Sequence, residues 1–212
     1  PLRPFTGVEG AELGLGSIVD ETDESYALIS TQISASGAAS FHLAHPDPVH
    51  QAFTLTPAFL LTEHSELRFA KRLGYAGSAQ IARAQLLPLG DESWSDVFSQ
   101  AGKGGVGELA FSTQIIDLSA YADRVVQVRF VYDFVGGSYF PQTVPAVGFY
   151  VDDIEVTHAF EVLDPEITSI GDSGTFEFRA DAPGQHMLLV RGIGWEGFPA
   201  LGWGRPFRVR AD

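Results

Sequence analysis

The stretch Val147-Gly-Phe-Tyr-Val-Asp-Asp-Ile-Glu-Val-Thr157 decides the fold of this chain. Apolar residues recur at every second position, which predicts a β-strand, but the alternation changes phase at Asp152-Asp153. The apolar members on the two sides of this break are Phe149 and Val151, then Ile154 and Val156. Since side chains alternate between the faces of a strand, a change of parity predicts a β-bulge or a bend. The two adjacent carboxylates repel one another, so we expect water or a cation to compensate them.

The composition favours many short strands. The chain has 212 residues, of which 45% are hydrophobic, 23 are Gly and 12 are Pro. This length is enough for one large β-domain, or one domain with a small appendage, and for a sizeable core. Frequent Gly and Pro residues punctuate short strands more readily than long helices.

The charge excludes two classes of partner. The formal net charge is -14, whereas nucleic acids and anionic membrane surfaces require a basic footprint. No apolar run approaches the length of a membrane span, so we expect no membrane insertion. The chain has no Cys, which excludes disulfides and thiolate chemistry.

Alternating apolar residues predict strands along most of the chain. The clearest is residues 125–134, rich in Val, Phe and Tyr. Further strands are predicted at residues 8–10, 26–33, 53–61, 65–73, 80–89, 94–98 and 111–118, with a short helical turn at 119–122. Long helical apolar spacing is absent, so the sequence predicts an all-β protein with two packed antiparallel sheets.

Asp164-Pro165 marks a predicted boundary. Residues 1–160 form the main domain, and residues 161–212 form a small C-terminal β-appendage or a small immunoglobulin-like subdomain. Strands are expected at 175–180, 186–191 and 205–210, which is too few for a complete immunoglobulin sandwich. These strands could instead extend the main sheets.

The order of several motifs resembles a known family. The motifs are Ser65-Glu-Leu-Arg-Phe69, a strand from Gln80, Asp91-Glu-Ser-Trp-Ser-Asp-Val-Phe98, Ile116 to Ala122, Val128-Arg-Phe130 and Gly148 to Ile154. Together they resemble the jelly-roll domains of the MAM and cleaved-adhesin kind, over about residues 9–157. Asp91-Glu92 departs from the Gly-Gly usual in that turn. The resemblance implies a jelly-roll β-sandwich, appended to other domains of a larger parent chain that is secreted or at the cell surface of a bacterium.

The resemblance also implies a structural calcium ion. Its ligands would be Glu9 in the first strand and Asp153 near the last, with Asp152 as a further candidate; Asp47 or Asp20 could add a loop ligand. Calcium takes six to eight oxygen ligands, so carboxylates and backbone carbonyls would share the coordination. The alternative is a solvated acidic turn.

His42, His45 and His50 lie close together in the sequence beside Asp47. A spacing of three along a strand places His42 and His45 on opposite faces, so a zinc site would need the loop to fold them together. We therefore expect surface and loop histidines.

Aromatic residues in two loops are candidates for ligand binding. Tyr139 and Phe140 lie in a long loop, and Trp195 and Trp203 lie in a Gly-rich hairpin. Rings of this kind stack on sugar faces in carbohydrate-binding sites, although Trp and Phe also seal cores.

Catalytic motifs are missing. There is no Gly-x-Ser-x-Gly elbow and no His-Glu-x-x-His helix. Glu66-Leu-Arg68 resembles a fragment of alginate-lyase strands, but the companion motifs of that family are absent. We expect a non-catalytic accessory module that binds a polysaccharide or a cell-surface protein for targeting or adhesion; the alternative is a spacer domain with no ligand except calcium.

Overall fold

The structure, a computed structural model, describes residues 2–4, 10–12, 18–137, 139, 141–162, 184–186, 189–193, 199–203 and 207–209. The regular structure of this part is almost entirely strand, and the predicted helical turn is a 3₁₀ turn at Ser119–Tyr121. Within the described residues, no helix has the length and apolarity to cross a membrane.

Seventeen strands are described. They are β1 (Leu2–Pro4), β2 (Ile18–Glu21), β3 (Ile29–Ser30), β4 (Ser40–Leu43), β5 (Gln51–Leu55), β6 (Ala58–Leu60), β7 (Glu66–Leu73), β8 (Gln80–Pro88), β9 (Ser95–Ala101), β10 (Ser112–Asp117), β11 (Val125–Phe134), β12 (Phe149–Thr157), β13 (Phe160–Val162), β14 (Gly184–His186), β15 (Leu189–Ile193), β16 (Pro199–Trp203) and β17 (Phe207–Val209).

The central strands form two facing antiparallel sheets. The first sheet runs β9-β8-β11-β5-β2, and β6, which also pairs with β11, continues it through β13, β1, β14 and β17. The second sheet runs β3-β4-β12-β7-β10, and β15 pairs with β16. The predicted all-β sandwich is confirmed.

The connectivity is that of a jelly roll. In the second sheet β4, β12, β7 and β10 are neighbours, and in the first β5, β11, β8 and β9 are neighbours. The chain crosses between the sheets from β4 to β5, from β6 to β7 and from β7 to β8. It then crosses again in each connection from β9 through β10 and β11 to β12. Two four-stranded sheets linked in this way form the eight-stranded jelly roll.

Aromatic rings fill the space between the sheets. Phe53 contacts Phe41 of the opposite sheet, with ring centroids 4.4 Å apart, and stacks on Phe130 at 5.2 Å. Phe69 meets Phe130 edge to face at 5.0 Å. All four side chains are fully buried, so their burial is a main source of stability, worth about 1.5–3 kcal/mol for each side chain.

A polar clamp, Lys71 with Glu108, closes one end of the sandwich. Lys71 has the core-facing parity of β7, and its ammonium donates to Glu108 and to Gln100. Glu108 also accepts from the amide of Leu73 at 2.7 Å. Partial burial alone would raise the pKa of Glu108, but the hydrogen bonds outweigh it and hold the pKa below its usual value. The clamp ties the loop after β9 to β7.

Several predicted strands change in extent. The predicted strand 26–33 contains only Ile29–Ser30, and 53–61 divides into β5 and β6 around Pro57, which cannot donate to the ladder. At the C-terminal end, β14 pairs with β1 and β17, so these two strands extend the first sheet. The predicted strands at 8–10 and 175–180 lie wholly or largely outside the described residues.

Candidate functional site

The first sheet presents polar side chains on the face opposite the core. In β8 and β11, one set of alternate residues packs into the core and the other set lies on the outer face. The outer-face residues are Ile81, Arg83, Gln85 and Leu87 in β8, and Gln127, Arg129, Val131 and Asp133 in β11. The register pairs Gln85 with Arg129 and Arg83 with Val131, which places two guanidinium groups on adjacent strands.

A bulge in β9 brings a third strand into this surface. The pairing of β8 with β9 shifts between Ala84 and Gln85, so that Val97 is the extra residue. Asp96 therefore lies beside Gln85 on the outer face, while Phe98 packs in the core against Phe69, edge to face. Without the extra residue, either Asp96 or Phe98 would lie on the wrong face.

Five side chains form a connected polar array, here called the outer network: Arg83, Gln85, Asp96, Arg129 and Asp133. Arg83 donates to Asp96, and its Nε lies 3.5 Å from an oxygen of Asp133. Gln85 donates to Asp96 at 2.7 Å and accepts from Nε and Nη2 of Arg129 at 3.0 and 2.7 Å. Each side chain is thus fixed by its neighbours and stays partly exposed.

Trp94 adds an aromatic ring to the outer network. It lies in the turn before β9, and its ring centroid is 4.2 Å from Cζ of Arg129, a stacked cation–π arrangement. The remaining guanidinium nitrogen of Arg129, Nη1, has no hydrogen-bond partner among the described residues. Partial burial lowers the pKa of Arg129, while Glu21, Asp133 and Asp96 act in the opposite direction.

A cavity lies beside the outer network on the same sheet. Its volume is about 420 Å³, and its lining is mostly apolar, with Leu87 and Val125 beside the amide of Gln127. Gln127 pairs with Leu87, two residue pairs along the ladder from the pair of Arg129 with Gln85. Two residues along a strand span about 6.6 Å, so the cavity and the network are within reach of one extended ligand.

The predicted bulge in β12 is confirmed. The pairing of β12 with β7 shifts between Asp152 and Glu155, and Asp153 has φ of 48°. Asp152 accepts from the amides of Ala35 at 2.7 Å, Ser36 at 3.3 Å and Asp153 at 2.9 Å. Its carboxylate therefore compensates backbone donors of the loop between β3 and β4, which covers it and leaves it buried.

The fit of a calcium ion at this bulge differs between the two aspartates. The oxygens of Asp152 are occupied by three N–H groups, and burial raises its pKa although those groups act in the opposite direction. Asp153 accepts from the hydroxyl of Ser36 through Oδ1 at 2.6 Å, while its Oδ2 has no partner among the described residues. Asp153 thus fits a ligand role, and Asp152 fits the role of a loop anchor.

The other predicted calcium ligands are not gathered at the bulge. Asp47 lies in the exposed turn after His45, where its charge acts on Tyr139, and Asp20 caps its own turn by accepting from Thr22. Glu9 lies outside the described residues. Among the described residues, no group of three or more His, Asp or Glu side chains could hold a metal ion.

Glu12, a nearby acid that the sequence interpretation omitted, shares the loop with the two aspartates. Its Oε1 accepts from the amides of Ala38 at 2.8 Å and Ala39 at 3.0 Å. Hydrogen bonds from the amide of Glu12 itself and from these two amides lower the pKa of Glu12. The carboxylates of Glu12 and Asp152, which are distant in the sequence, thus hold one loop.

The predicted aromatic ligand site is described only at Tyr139. Its hydroxyl donates to the carbonyl of His45 at 3.1 Å, and its ring meets Phe134 edge to face. Tyr139 is therefore anchored at the end of the first sheet. Phe140 and Trp195 lie outside the described residues, and Trp203 is the last residue of β16. A ligand role for these four residues stays a prediction.

The expectation of surface histidines is wrong for His42 and His45, here called the buried histidine pair. His42 stacks on Tyr150 and bonds to the carbonyl of Val147 at 2.9 Å. His45 stacks on Tyr132 and bonds to the carbonyl of that residue at 3.0 Å. Burial lowers the pKa of both histidines. Their separate environments do not form the alternative zinc site, and His50 is exposed as expected.

Sequence reasoning missed the outer network. Its signal was present: polar residues in β8 and β11 share one parity, which marks the face opposite the apolar residues. The sequence interpretation used that parity only to predict strands. Pairing of β8 with β11 and the extra residue in β9 are needed to show that the polar residues of three strands meet.

Comparisons with known proteins give no family assignment. No protein-family model and no curated protein matches the sequence. Among solved structures, the glycoside hydrolase domain of Endo-D from Streptococcus pneumoniae R6 is 14% identical with a TM-score of 0.44, covering 66% of this chain and 21% of that chain. This chain therefore spans about a fifth of that structure's length.

Two further solved structures are those of sugar-binding modules. TmCBM61 in complex with β-1,4-galactotriose is 13% identical with a TM-score of 0.44, covering 69% of this chain and 92% of that chain. A xylan-binding domain of CBM 22 is 11% identical with a TM-score of 0.45, covering 77% and 98%. At these identities and TM-scores, the similarities decide neither the fold nor the function of this chain.

Proposed function

We propose that this protein is a non-catalytic accessory module that binds a polysaccharide on the outer face of its first sheet. One observation carries the proposal: Arg83, Gln85, Asp96, Arg129 and Asp133 form a fixed polar array, with Trp94 against it, on a face that is not needed for the core.

The chemistry of this array suits sugar hydroxyls. A hydroxyl both donates and accepts, so it needs acceptors such as Asp and Gln beside donors such as Arg. The outer network supplies both kinds of group, already held in place by mutual hydrogen bonds. Preorganised side chains lose less entropy when a ligand binds, and the indole of Trp94 offers apolar surface to a sugar ring.

The arrangement is better suited to binding than to hydrolysis. Glycoside hydrolysis by a pair of carboxyl groups requires one of them to donate a proton. Asp96 and Asp133 instead share the guanidinium of Arg83. Both carboxylates are thus engaged by one guanidinium, an arrangement that suits the binding of a ligand without a chemical change in it.

The sequence interpretation extends this proposal in two directions. An exported or cell-surface module of a bacterium would use such a site to target or attach the neighbouring domains of its parent chain. A structural calcium ion would stabilise the loop between β3 and β4 with Asp153 as a ligand, and Glu9 remains the predicted second ligand. The alternative function is a spacer that binds no sugar. In that case the outer network only stabilises the exposed face of the first sheet.

Affinity electrophoresis against a panel of soluble polysaccharides tests the proposal. Retardation by at least one polymer is expected for the unmodified protein. Trp94→Ala should weaken that affinity about tenfold, which corresponds to about 1.4 kcal/mol. Arg129→Lys should weaken it as well, because lysine keeps the charge but loses the planar donors.

The matched control is Arg68→Ala. Arg68 lies on the outer face of the second sheet and pairs with Glu66 at 2.7 Å, so its loss removes a similar surface ion pair far from Trp94. Its affinity should equal that of the unmodified protein. No retardation by any polymer would favour the spacer, and equal losses of affinity in Trp94→Ala and Arg68→Ala would refute the placement of the site on the outer network.

A further inference from the structure

We infer that the polysaccharide bound by the outer network is uncharged, and that its two arginines bind hydroxyl groups and not the carboxylate or sulfate groups of an acidic polymer. This inference rests on the proposed function and specifies its ligand class. It follows from how the charges of the face are arranged.

The guanidinium of Arg83 is already matched by protein carboxylates. It donates to Asp96, and its Nε lies 3.5 Å from Asp133. An incoming anion would have to displace one of these carboxylates or lie beside both of them. A sugar hydroxyl can instead donate to a carboxylate oxygen and accept from the guanidinium in the same place.

Arg129 is the stronger candidate for binding an anion, because its direct hydrogen bonds go to a neutral partner, Gln85. Yet Glu21, Asp133 and Asp96 all act on it electrostatically. The face around Arg129 and Arg83 therefore carries one more carboxylate than guanidinium groups. An anionic ligand would therefore meet a slightly negative electrostatic potential at this face, even though the guanidinium of Arg129 lies close to the ligand.

The rest of the protein acts in the same direction. The formal net charge of the chain is -14, so an acidic polymer is repelled as it approaches. This repulsion is screened over about 10 Å at moderate salt, whereas contacts made by hydroxyl groups and by Trp94 are hardly affected by salt. A neutral ligand thus binds with an affinity that is nearly independent of ionic strength.

The experiment measures affinity for two groups of polymers at low and high NaCl. The neutral group contains β-1,4-galactan, unsubstituted xylan, galactomannan and mixed-linkage β-glucan; the acidic group contains polygalacturonate, alginate and hyaluronan. The tightest ligand should be neutral, and salt should change its affinity by less than about twofold. A tightest ligand from the acidic group, or an affinity that falls at least tenfold with salt, would overturn the inference while leaving sugar binding intact.

A pair of charge variants separates the local face from the total charge. Glu21→Gln removes a carboxylate that acts on Arg129, and Glu155→Gln removes one carboxylate from the outer face of the second sheet. The ratio of acidic to neutral affinity should rise by about threefold or more in Glu21→Gln and stay constant in Glu155→Gln. Equal ratios in the two variants would show that the face does not select the ligand charge. Failure of every polymer to bind would refute the proposed function itself.

Discussion

The bulge of β12 makes a sharp prediction, because its two adjacent aspartates hold different partners. Asp152→Asn places an amide NH₂ where Oδ2 now accepts from Ala35 at 2.7 Å and Ser36 at 3.3 Å. One strong and one weak charge-assisted hydrogen bond are lost, and donors then face donors in a buried site. At about 1.5–3 kcal/mol for a hydrogen bond to a charged group, we expect a loss of about 2–3 kcal/mol in the free energy of unfolding.

Asp153→Asn is the matched control in the same bulge. It weakens a bond from the hydroxyl of the exposed Ser36, and Asn tolerates the positive φ of 48° as well as Asp does. In EDTA we therefore expect a loss of about 0.5 kcal/mol or less. Since 1 kcal/mol shifts the melting temperature by about 2–4 °C in a protein of this size, the two variants should be well separated.

Calcium adds a second arm to this experiment. If Asp153 is a calcium ligand, the unmodified protein gains about 2.7 kcal/mol when free calcium exceeds its dissociation constant a hundredfold, and Asp153→Asn loses that gain. The assay is urea unfolding followed by intrinsic fluorescence, in EDTA and in calcium. An Asp152→Asn variant as stable as the unmodified protein in EDTA would refute the anchoring role, and equal stability of the unmodified protein in both buffers would refute the calcium site.

Three further perturbations test interactions in other parts of the sandwich. Lys71→Met should lower the free energy of unfolding by about 2 kcal/mol, which is less than for a fully buried pair because the Glu108 side chain is 31% exposed. In a double-mutant cycle measured by urea unfolding, adding Glu108→Leu should recover part of that loss. Gly107→Ala should lower the melting temperature more than Gly104→Ala does. The two glycines have nearly the same φ, 70° and 69°, but a Cβ at Gly107 would lie 2.2 Å from the backbone of Gly74, whereas a Cβ at Gly104 would meet no atom within 4 Å. Because burial lowers the pKa of the buried histidine pair, the unfolded chain binds more protons, so the free energy of unfolding should fall as pH drops below 6.5. In urea unfolding at several pH values, replacing both histidines of the pair by Phe should flatten this pH dependence.

Much of the fold could be predicted from local sequence patterns. β11 begins and ends where its alternation of apolar and polar residues predicts, β7 and β8 differ from the prediction by one residue at one end, and β10 is one residue shorter at each end. The bulge of β12 was visible as a change of parity. These features depend on which face of a strand each residue occupies, and a period of two in the sequence contains that information.

The burial of individual polar residues was not predictable in this way. His42 and His45 read as loop and surface residues, yet each stacks on a tyrosine from a strand about 90 to 110 residues later. Asp152 lies on the outer face of its strand and is still buried, because the loop between β3 and β4 folds over it. Burial of this kind depends on which distant segment covers a residue.

The sequence by itself determined the strand content, the position of the β12 bulge and the polarity of each face of β8 and β11. Only the tertiary structure decided that Asp96, Arg83 and Arg129 meet, because three strands must pair in one register and Val97 must be the extra residue in β9. A strand pattern specifies faces through interactions between near neighbours. A site assembled from several strands is specified by their order and register, which the whole sandwich selects when it buries its core.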